Sequence, residues 1–388
     1  MAEYLTNTTD LTKVASAIRE KGGTSDSLVY PDGFVTAIQA IQTGTELKIV
    51  VSVTSGAAVT ATKGSNTVSG TSVNGTCTLT VPEAGTWSVK ATHNGQTSDT
   101  KSVTFTDHYA VALSFVSAVL NDNDWATIKK VSDKGEGANY WSIGDRKAVT
   151  VNGTVGTQAV NGTYYAYIIG FNHNSSKEGN GITFGTFKTA LSGGTDICLV
   201  DGKYNGYSTN GTKYFNMNHS SNTNAGGWKG CDLRYDVLGS TNTNDGDATA
   251  TTATNPVANT LMAALPSDLR AVMQPMTIYT DNTGGGSDNA SYVTKTTDYL
   301  PLLAEYEIFG TRTYANSAEK NYQAQYAYYS AGNSKVKYCH SSTSSTAWWW
   351  ERSPGYKYGS SFCLVITGGN ASYGNAGSSY GVAPAFRV

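Results

Sequence analysis

The sequence predicts a multidomain protein: a short α-helical N-terminal module at residues 1–44, an all-β sandwich at 45–107 and an α+β domain at 108–388. Three observations lead to this prediction. Apolar residues recur at helical spacing near the N-terminus, and short alternating strands follow them. The remaining chain is rich in glycine and aromatic residues, with two helical stretches among strands and loops. At 388 residues the chain is long enough for two or three domains.

Composition limits the class of protein. Charged residues make up 14 % of the chain, well below the roughly 25 % of an average soluble domain. Glycine is also frequent, at 42 residues. Because the chain has 25 tyrosines and abundant Asn, Thr and Ser, its surface must be polar without being charged, as is typical of extracellular β-rich proteins. A formal net charge of -2 gives no field that would attract nucleic acid. No apolar run is long enough for a membrane span. We therefore expect no nucleic-acid partner and no membrane insertion.

The cysteines and histidines suggest no metal or cofactor. The five cysteines are scattered and never form a CxxC pair: Cys77, Cys198, Cys231, Cys339 and Cys363. An odd number without that spacing argues against a structural zinc site and against a disulfide framework. The five histidines follow no metal-ligand spacing either. We predict no cofactor, while the loops rich in Asp and Asn leave a calcium site open.

The first residues, Met1–Thr6, have neither the basic region nor the apolar region of a Sec signal. A bacterial surface protein would need such a signal. A protein assembled in a bacterial cytoplasm and released by lysis would not, and we expect this second route.

The N-terminal module reads as two short helices. Asp10 is the expected N-cap of the first, which ends at Gly22-Gly23. A turn at Tyr30–Gly33 separates it from the second. The apolar stripe of the first helix comprises Leu11, Val14, Ala15 and Ile18, and that of the second comprises Phe34, Ala37, Ile38 and Ile41. The two helices could pack on each other as a hairpin. However, so short a segment rarely carries its own core, so we expect the stripes to contact other subunits or a larger assembly.

The segment Leu11–Thr24, followed by Tyr30–Phe34 and Ala37-Ile38, resembles a short module that recurs in tail and baseplate proteins of bacteriophages. This resemblance implies attachment to a virion. It also implies that other tail or baseplate proteins are partners of residues 1–44.

Residues 45–107 alternate between apolar and polar positions in short runs. The predicted strands are Leu47–Val53, Ala58–Thr62, Cys77–Val81, Trp87–Thr92 and Ser102–Phe105. Strands of this length between Gly, Asn and Ser turns argue for a small β-sandwich. The corner Pro82–Trp87 is similar to that of bacterial immunoglobulin-like domains, which implies a spacer, with direct adhesion as the alternative. Cys77 has no partner cysteine here, so the antibody-type disulfide is absent.

Residues 108–388 combine a predicted strand at Thr163–Phe171 with helical signals at Trp228–Leu238 and Leu261–Val272. The order of these elements resembles the C-type-lectin-like fold. The branch in question is shared by formylglycine-generating enzymes and retroelement-diversified phage adhesins. The segments that carry the resemblance are Gly227–Lys229, Leu265–Leu269, Tyr299–Leu302, Glu305, Glu307–Gly310, Trp349–Pro354 and Gly381–Phe386.

The stretch from Thr346 to Val388 is the predicted recognition face. Apolar residues at its two ends anchor it, and the residues between them are rich in Tyr, Ser, Asn and Gly, which also dominate antibody paratopes. The predicted ligand-binding residues are Trp348, Tyr356, Tyr358, Ser360, Asn370, Ser372, Tyr373, Asn375, Ser379 and Tyr380. In phage members of the family that it resembles, the sequence before the terminal strand is the variable, ligand-contacting face. The resemblance therefore implies diversification by a retroelement.

The tryptophan run offers two readings. In a strand, Trp348 and Trp350 point to one side and Trp349 to the other. We expect Trp349 to lie in the core, whereas an exposed tryptophan would offer a stacking platform. Glu351 and Arg352 are expected to form an ion pair that orients the recognition loop.

The acidic residues and cysteines do not predict a catalytic site. Glu305 and Glu307 would share one face of a strand, but a glycosidase needs two carboxylates that converge on the substrate. Formylglycine-generating relatives use two closely spaced cysteines, whereas Cys339 and Cys363 are far apart unless they lie on neighbouring strands. We predict no catalytic residue.

The sequence therefore predicts a phage tail-fibre or receptor-binding protein that recognises a host-surface glycan or protein. From the resemblance to tail fibres we expect a homotrimer, located in the virion and extracellular after release. The alternatives are a bacterial surface adhesin, a virion-associated enzyme acting on envelope glycans, and a purely structural domain.

Overall fold

The computed structural model describes residues 8–22, 28, 34, 46–105, 109–201 and 215–388. The protein is multidomain and mostly β, with few helices. It divides into two compact units, Met1–Val116 and Ser117–Val388.

The first unit begins with the helix Thr8–Gly22. Asp10 lies inside this helix, so its predicted role as the N-cap is wrong. Ala15 and Ile18 are buried, as expected, but Val14 is exposed. The surface of the helix that is buried is therefore narrower than the predicted apolar stripe. Leu11 and Leu28 pack against a small cluster that Ala15, Ile18 and Phe34 form. The turn at positions 30–33 and the stripe positions 37, 38 and 41 lie outside the described residues.

Eight strands follow among the described residues of this unit: β1 (Leu47–Ser52), β2 (Ala58–Lys63), β3 (Asn66–Thr71), β4 (Thr76–Val81), β5 (Gly85–His93), β6 (Gln96–Thr97), β7 (Lys101–Phe105) and β8 (Tyr109–Ala112). All five predicted strands are present. One sheet has the order β4-β1-β8, and the other has the order β3-β2-β5-β6 with β7 also paired to β5. Side chains alternate between the two faces of a strand, and Cys77, Leu79 and Val81 of β4 are buried while the threonines between them are exposed.

The end of the first unit differs from the predicted boundary at 107/108. β8 pairs in parallel with β1, where Ile49 lies opposite Tyr109 and Ser52 opposite Ala112. Residues 109–112 therefore complete a sheet of the first unit, and the division falls after Val116.

The second unit contains fourteen strands within its described residues: β9 (Arg146–Val151), β10 (Thr154–Val155), β11 (Gln158–Ala159), β12 (Gly162–Phe171), β13 (Ile182–Lys188), β14 (Asp196–Ile197), β15 (Met276–Asp281), β16 (Val293–Asp298), β17 (Lys337–Tyr338), β18 (Thr346–Ala347), β19 (Trp349–Pro354), β20 (Ser361–Val365), β21 (Ala371–Asn375) and β22 (Ala385–Arg387). The predicted strand at Thr163–Phe171 is confirmed as β12.

The main sheet of this unit has the order β18-β17-β14-β13-β12-β9, with β22 also paired to β13. The C-terminal strand thus enters the centre of the sheet. Phe386 on β22 stacks on Phe184 of β13 with ring centroids 5.2 Å apart, and Trp125 meets both rings edge-on. These aromatic side chains are all buried and form one wall of the core.

Helices in the second unit are short: Leu120–Asp122, Trp125–Asp133, Gly137–Tyr140, Ser175–Glu178, Leu233–Val237, Thr251–Thr254, Leu261–Ala264, Ser267–Arg270, Ala290–Tyr292, Glu305–Phe309, Ser317–Asn321 and Ala327–Ser330. The predicted helix from 228 to 238 is reduced to one π-helical turn at Leu233–Val237. The predicted helix from 261 to 272 is divided in two. Leu265 takes an extended backbone conformation, because a residue before proline is disfavoured in the helical region.

Two smaller sheets complete the described part of the unit. β15 and β16 form a hairpin, and β19, β20 and β21 form an antiparallel sheet. This sheet and the loops that connect its strands carry most of the predicted ligand-binding residues. In the described part of the chain no helix has the length and hydropathy needed to cross a membrane.

Candidate ligand-binding face

The sheet β19-β20-β21 turns some side chains inward and others outward. Tyr373 of β21 lies opposite Cys363 of β20, and Gly374 lies opposite Phe362. Cys363 and Phe362 are buried, whereas Tyr373 is 39 % exposed. The alternation along β21 therefore presents Tyr373 to solvent and holds Gly374 against the core.

Four tyrosines from three segments meet at this surface, and we call them the tyrosine cluster: Tyr314, Tyr356, Tyr358 and Tyr373. The ring of Tyr373 lies 4.9 Å from that of Tyr358 and 5.1 Å from that of Tyr314. The Tyr356 backbone N–H donates to the Tyr314 carbonyl at 2.8 Å, which links the loop after β19 to the segment that carries Tyr314. Tyr358 is 47 % exposed. A hydrogen bond with Tyr358 raises the pKa of the Tyr373 hydroxyl.

Two basic residues border the cluster. The Arg312 guanidinium carbon lies 4.4 Å from the centre of the Tyr356 ring, and Lys357 Nζ lies 5.4 Å from it. Arg312 Nη2 pairs with Asp288 Oδ2 at 2.7 Å. Burial alone would raise the pKa of Asp288, but hydrogen bonds from Ser317 and the charge of Arg312 outweigh it and lower the pKa. Asp288 is therefore ionised and holds Arg312 beside the ring.

The loop between β19 and β20 carries Tyr356 and Tyr358, and the buried amide of Asn224 fixes it. Asn224 Nδ2 lies within hydrogen-bonding distance of three carbonyls, those of Gly355 (3.2 Å), Tyr358 (3.1 Å) and Ser361 (2.8 Å). Its Oδ1 accepts from the Gly285 N–H at 2.8 Å. One side chain therefore ties the loop to the segment around residue 285.

That segment, Gly284-Gly285-Gly286, requires glycine for two reasons. All three residues have positive φ, between +67° and +79°, where an L side chain is strained. A Cβ on Gly284 would also lie 1.9 Å from the Asn224 carbonyl oxygen, and one on Gly286 would lie 2.7 Å from the Gly359 nitrogen. Only bare backbone allows the loop and this segment to approach so closely.

A buried carboxylate fixes the segment that carries Tyr314. Glu305 Oε2 accepts backbone hydrogen bonds from Thr313, Tyr314 and Ala315, each at 2.9 Å. Glu305 lies at the start of the helix Glu305–Phe309 and is almost fully buried. Successive backbone N–H groups of a turn form a concave anion site, and here the anion belongs to the protein itself.

Two further acidic residues support the same region. Asp281 Oδ1 accepts from the Thr283 and Gly284 N–H groups at 2.9 and 2.8 Å. Glu319 accepts from the Asp281 N–H at 3.0 Å and from the Ser353 hydroxyl at 2.6 Å. Burial raises the pKa of Glu319 to about 7, although these hydrogen bonds oppose the shift.

The expected ion pair between Glu351 and Arg352 is wrong. Arg352 instead makes two 2.6 Å bonds to the carboxylate of Glu307, because neighbouring residues on a strand point to opposite sides. Glu351 is fully buried, and neither of its carboxylate oxygens has a hydrogen-bond partner within the described part of the chain. Burial, with a smaller contribution from the charge of Glu305, raises the pKa of Glu351 well above 4.5.

The tryptophan run follows the predicted alternation. Trp349 is buried, as expected, and Trp348 is 40 % exposed. Trp348 and Trp350 both contact the ring of Tyr380, at 5.4 and 4.8 Å, so they face the same side. Trp350 is nevertheless fully buried, because Tyr380 covers it and its Nε1 donates to the Phe215 carbonyl at 2.8 Å.

The predicted ligand-binding residues do not form one surface. The exposed ones are Trp348, Tyr358, Asn370, Tyr373 and Asn375, and the partly buried ones are Tyr356, Ser360, Ser372 and Tyr380. Tyr356, Tyr358 and Tyr373 belong to the tyrosine cluster, whereas Trp348 and Tyr380 form a separate contact. Ser379 is buried, so its assignment to the ligand-binding surface is wrong. It lies just before residues 381–388, all of which are buried, so the chain has already turned into the core.

Arg312, Tyr314 and Asp288 were missed by the sequence analysis. They lie outside the stretch from Thr346 to Val388 that the tyrosine and asparagine content singles out. No local pattern marks them, because long-range contacts bring them to the face.

The arrangement gives no geometric support for the catalytic alternatives. Glu305 and Glu307 lie on a helix instead of a strand, where residues two apart face different sides, and both carboxylates are occupied by the partners described above. Cys363 lies on β20 and Cys339 follows β17, in different sheets. All five cysteines are free. Among the described residues no group of His, Cys, Asp and Glu has an arrangement that could hold a metal ion.

Comparison with known protein families gives a match over the C-terminal part of the chain. No curated protein matches the chain. The segment that matches a family model, residues 207–388, contains the whole tyrosine cluster and the buried residues that support it. Over residues 207–388 the chain is similar to the family described as Domain of unknown function (DUF6273).

Proposed function

We propose that the protein is a receptor-binding protein of a bacteriophage tail fibre. In this proposal residues 1–44 attach it to tail or baseplate proteins, an immunoglobulin-like sandwich is the spacer, and a C-type-lectin-like domain binds a receptor on the host surface. The protein is a virion component, extracellular after release, and acts without cofactor or catalysis. The residue types of the recognition face further suggest diversification by a retroelement.

The observation that carries the proposal is the exposed pair Tyr358 and Tyr373 on a fixed backbone. Their rings lie 4.9 Å apart and offer flat amphipathic area. Asn224 and Glu305 hold the loops beneath them through hydrogen bonds to the main chain. A surface whose backbone is already ordered loses less conformational entropy when it binds. Aromatic rings on ordered loops are the main binding elements of antibody paratopes.

A homotrimer suits this function. Three copies of the face on one fibre tip would convert the second and third contacts into intramolecular events. A face of modest affinity would then suffice for stable adsorption to a cell.

The test measures binding of the full chain to a panel of whole Gram-negative and Gram-positive bacteria by flow cytometry. On any strain that it binds, the double variant Tyr358→Ser/Tyr373→Ser should lose about tenfold or more in affinity, because each ring contributes on the order of 1 kcal/mol. Tyr322→Ser is the matched control, since Tyr322 is also 39 % exposed but stacks on Tyr279 outside the cluster.

Two results would contradict the proposal. One is unchanged binding by the double variant, with its thermal unfolding also unchanged. The other is release of soluble sugar from cell-envelope material by the wild-type protein, which would make the protein an enzyme.

A further inference from the structure

The tyrosine cluster has a positively charged edge. Arg312 and Lys357 both lie within 5.4 Å of the Tyr356 ring centre, and each cation is attracted to the negative face of the ring. The ring thereby holds two flexible cationic side chains beside the tyrosine cluster, and the charge of Lys357 also acts on the Tyr373 hydroxyl.

The charge of this edge is only partly balanced. Asp288 pairs with Arg312 through Nη2. Within the described ranges, Nε and Nη1 of Arg312 donate no hydrogen bond and Lys357 makes no ion pair. Glu305, behind Tyr314, is buried and bonded to backbone N–H groups. At the surface, the edge therefore presents two cations and one carboxylate, since the Glu305 carboxylate is buried.

Building on the function proposed above, we propose that the receptor is an acidic saccharide. The apolar face of a sugar ring stacks on Tyr358 and Tyr373, and a carboxylate or phosphate group of the same saccharide binds Arg312 and Lys357. Each unoccupied donor of the guanidinium can donate a charge-assisted hydrogen bond to a carboxylate or phosphate oxygen. A neutral sugar would use the rings but leave these donors in water.

The experiment compares acidic saccharides with their neutral counterparts on a glycan array, with the full chain as the probe. Suitable pairs are glucuronate with glucose, galacturonate with galactose, and phosphorylated with unphosphorylated oligosaccharides. We expect acidic members to bind about tenfold more tightly, the value of one well-formed charged hydrogen bond. This preference should shrink between about 0.15 M and about 0.5 M salt, where screening is stronger.

The variants Arg312→Gln and Lys357→Gln should each reduce the ratio of acidic-member to neutral-member affinity. Lys357 is exposed and without an ion pair within the described residues, so Lys357→Gln tests the inference without disturbing Asp288. Lys295→Gln is the matched control, because Lys295 is exposed on β16 and borders no ring of the cluster.

The outcomes separate this inference from the proposed function. Equal binding of acidic and neutral members overturns the inference and leaves the proposed function standing. Tyrosine-dependent binding to whole cells without binding to any saccharide also overturns the inference and leaves the proposed function standing. The receptor would then be a protein. Failure to bind any cell or saccharide overturns both.

Discussion

The backbone N–H of Tyr314 donates to both carboxylate oxygens of Glu305, at 3.1 and 2.9 Å. The Glu305 side chain is buried, whereas the ring of Tyr314 contacts Tyr373 at the surface. The buried Glu305 carboxylate therefore positions the backbone of Tyr314, whose ring lies at the surface.

Replacing Glu305 with glutamine should loosen the segment that carries Tyr314. The amide retains one acceptor oxygen and turns an NH2 group toward backbone N–H donors. We expect Glu305→Gln to lower the free energy of unfolding by about 1–3 kcal/mol, measured by denaturant titration with tryptophan fluorescence. Glu136→Gln, at a half-buried site on the same unit, should change it by less than about 0.5 kcal/mol. Equal effects of the two variants would show that the Glu305 contacts are not stabilising.

The buried pair of Glu307 and Arg352 should be far more sensitive than a surface pair. Glu307→Gln leaves the Arg352 guanidinium buried without a counter-charge, so we expect a loss of about 3–5 kcal/mol in unfolding free energy. Lys129→Gln breaks the partly exposed pair with Asp133 and should cost less than about 1 kcal/mol. The same titration measures both. A loss below about 1 kcal/mol for Glu307→Gln would contradict the account.

Glu319 and Glu351 should each make the free energy of unfolding fall as the pH rises above about 4.5. In the folded protein burial raises the pKa of Glu319 to about 7 and that of Glu351 well above 4.5. Between pH 4.5 and these values the folded state binds protons that the unfolded state releases, so rising pH favours unfolding. Each group contributes at most about 1.4 kcal/mol per pH unit.

Glu351→Gln should remove its share of this dependence. The glutamine cannot ionise, so the slope of unfolding free energy against pH between 5 and 8 should be shallower than in the wild type. Denaturant titrations at a series of pH values measure the slope, with Glu136→Gln as the control that should retain it. An unchanged slope in Glu351→Gln would mean that Glu351 is solvated or paired.

The glycine run allows a direct comparison of backbone strain with steric clash. Gly284 and Gly285 both have positive φ, but a Cβ on Gly285 would meet nothing within 4 Å. We expect Gly285→Ala to cost about 1–2 kcal/mol from conformation alone. Gly284→Ala should cost a further 1–3 kcal/mol or so, because its methyl group would collide with the Asn224 carbonyl.

Thermal unfolding of the two variants side by side measures this difference. Gly284→Ala should also weaken binding to cells, because Asn224 positions the loop that carries Tyr358. If both variants unfold at the same temperature, the close approach of Gly284 to the Asn224 carbonyl does not limit stability.

The strands of the first unit were largely predictable because their signal is local. In β4 the alternation of Cys77, Leu79 and Val81 with threonine needs only neighbouring residues to be read. β3 was missed, since Gly70 and its polar neighbours give no apolar alternation. β8 was missed because only its pairing with β1 makes it part of the sheet.

The site was predictable only in its surface chemistry. Tyr358 and Tyr373 were identified because tyrosines among glycine and serine stand out in sequence. The partners that organise them were not, since Arg352 and Glu307 are 45 residues apart, and Asn224 and Ser361 are 137 apart. Local rules also assigned Arg352 to the wrong glutamate, because adjacency in sequence is not adjacency across a strand.

Asn224 grips the loop between β19 and β20 only by carbonyl oxygens, those of Gly355, Tyr358 and Ser361, and its own N–H donates to the Gly359 carbonyl. Every amino acid carries the same carbonyl. The hydrogen bonds of Asn224 therefore do not depend on which side chains stand at positions 356–358, and substitutions there should leave this support in place.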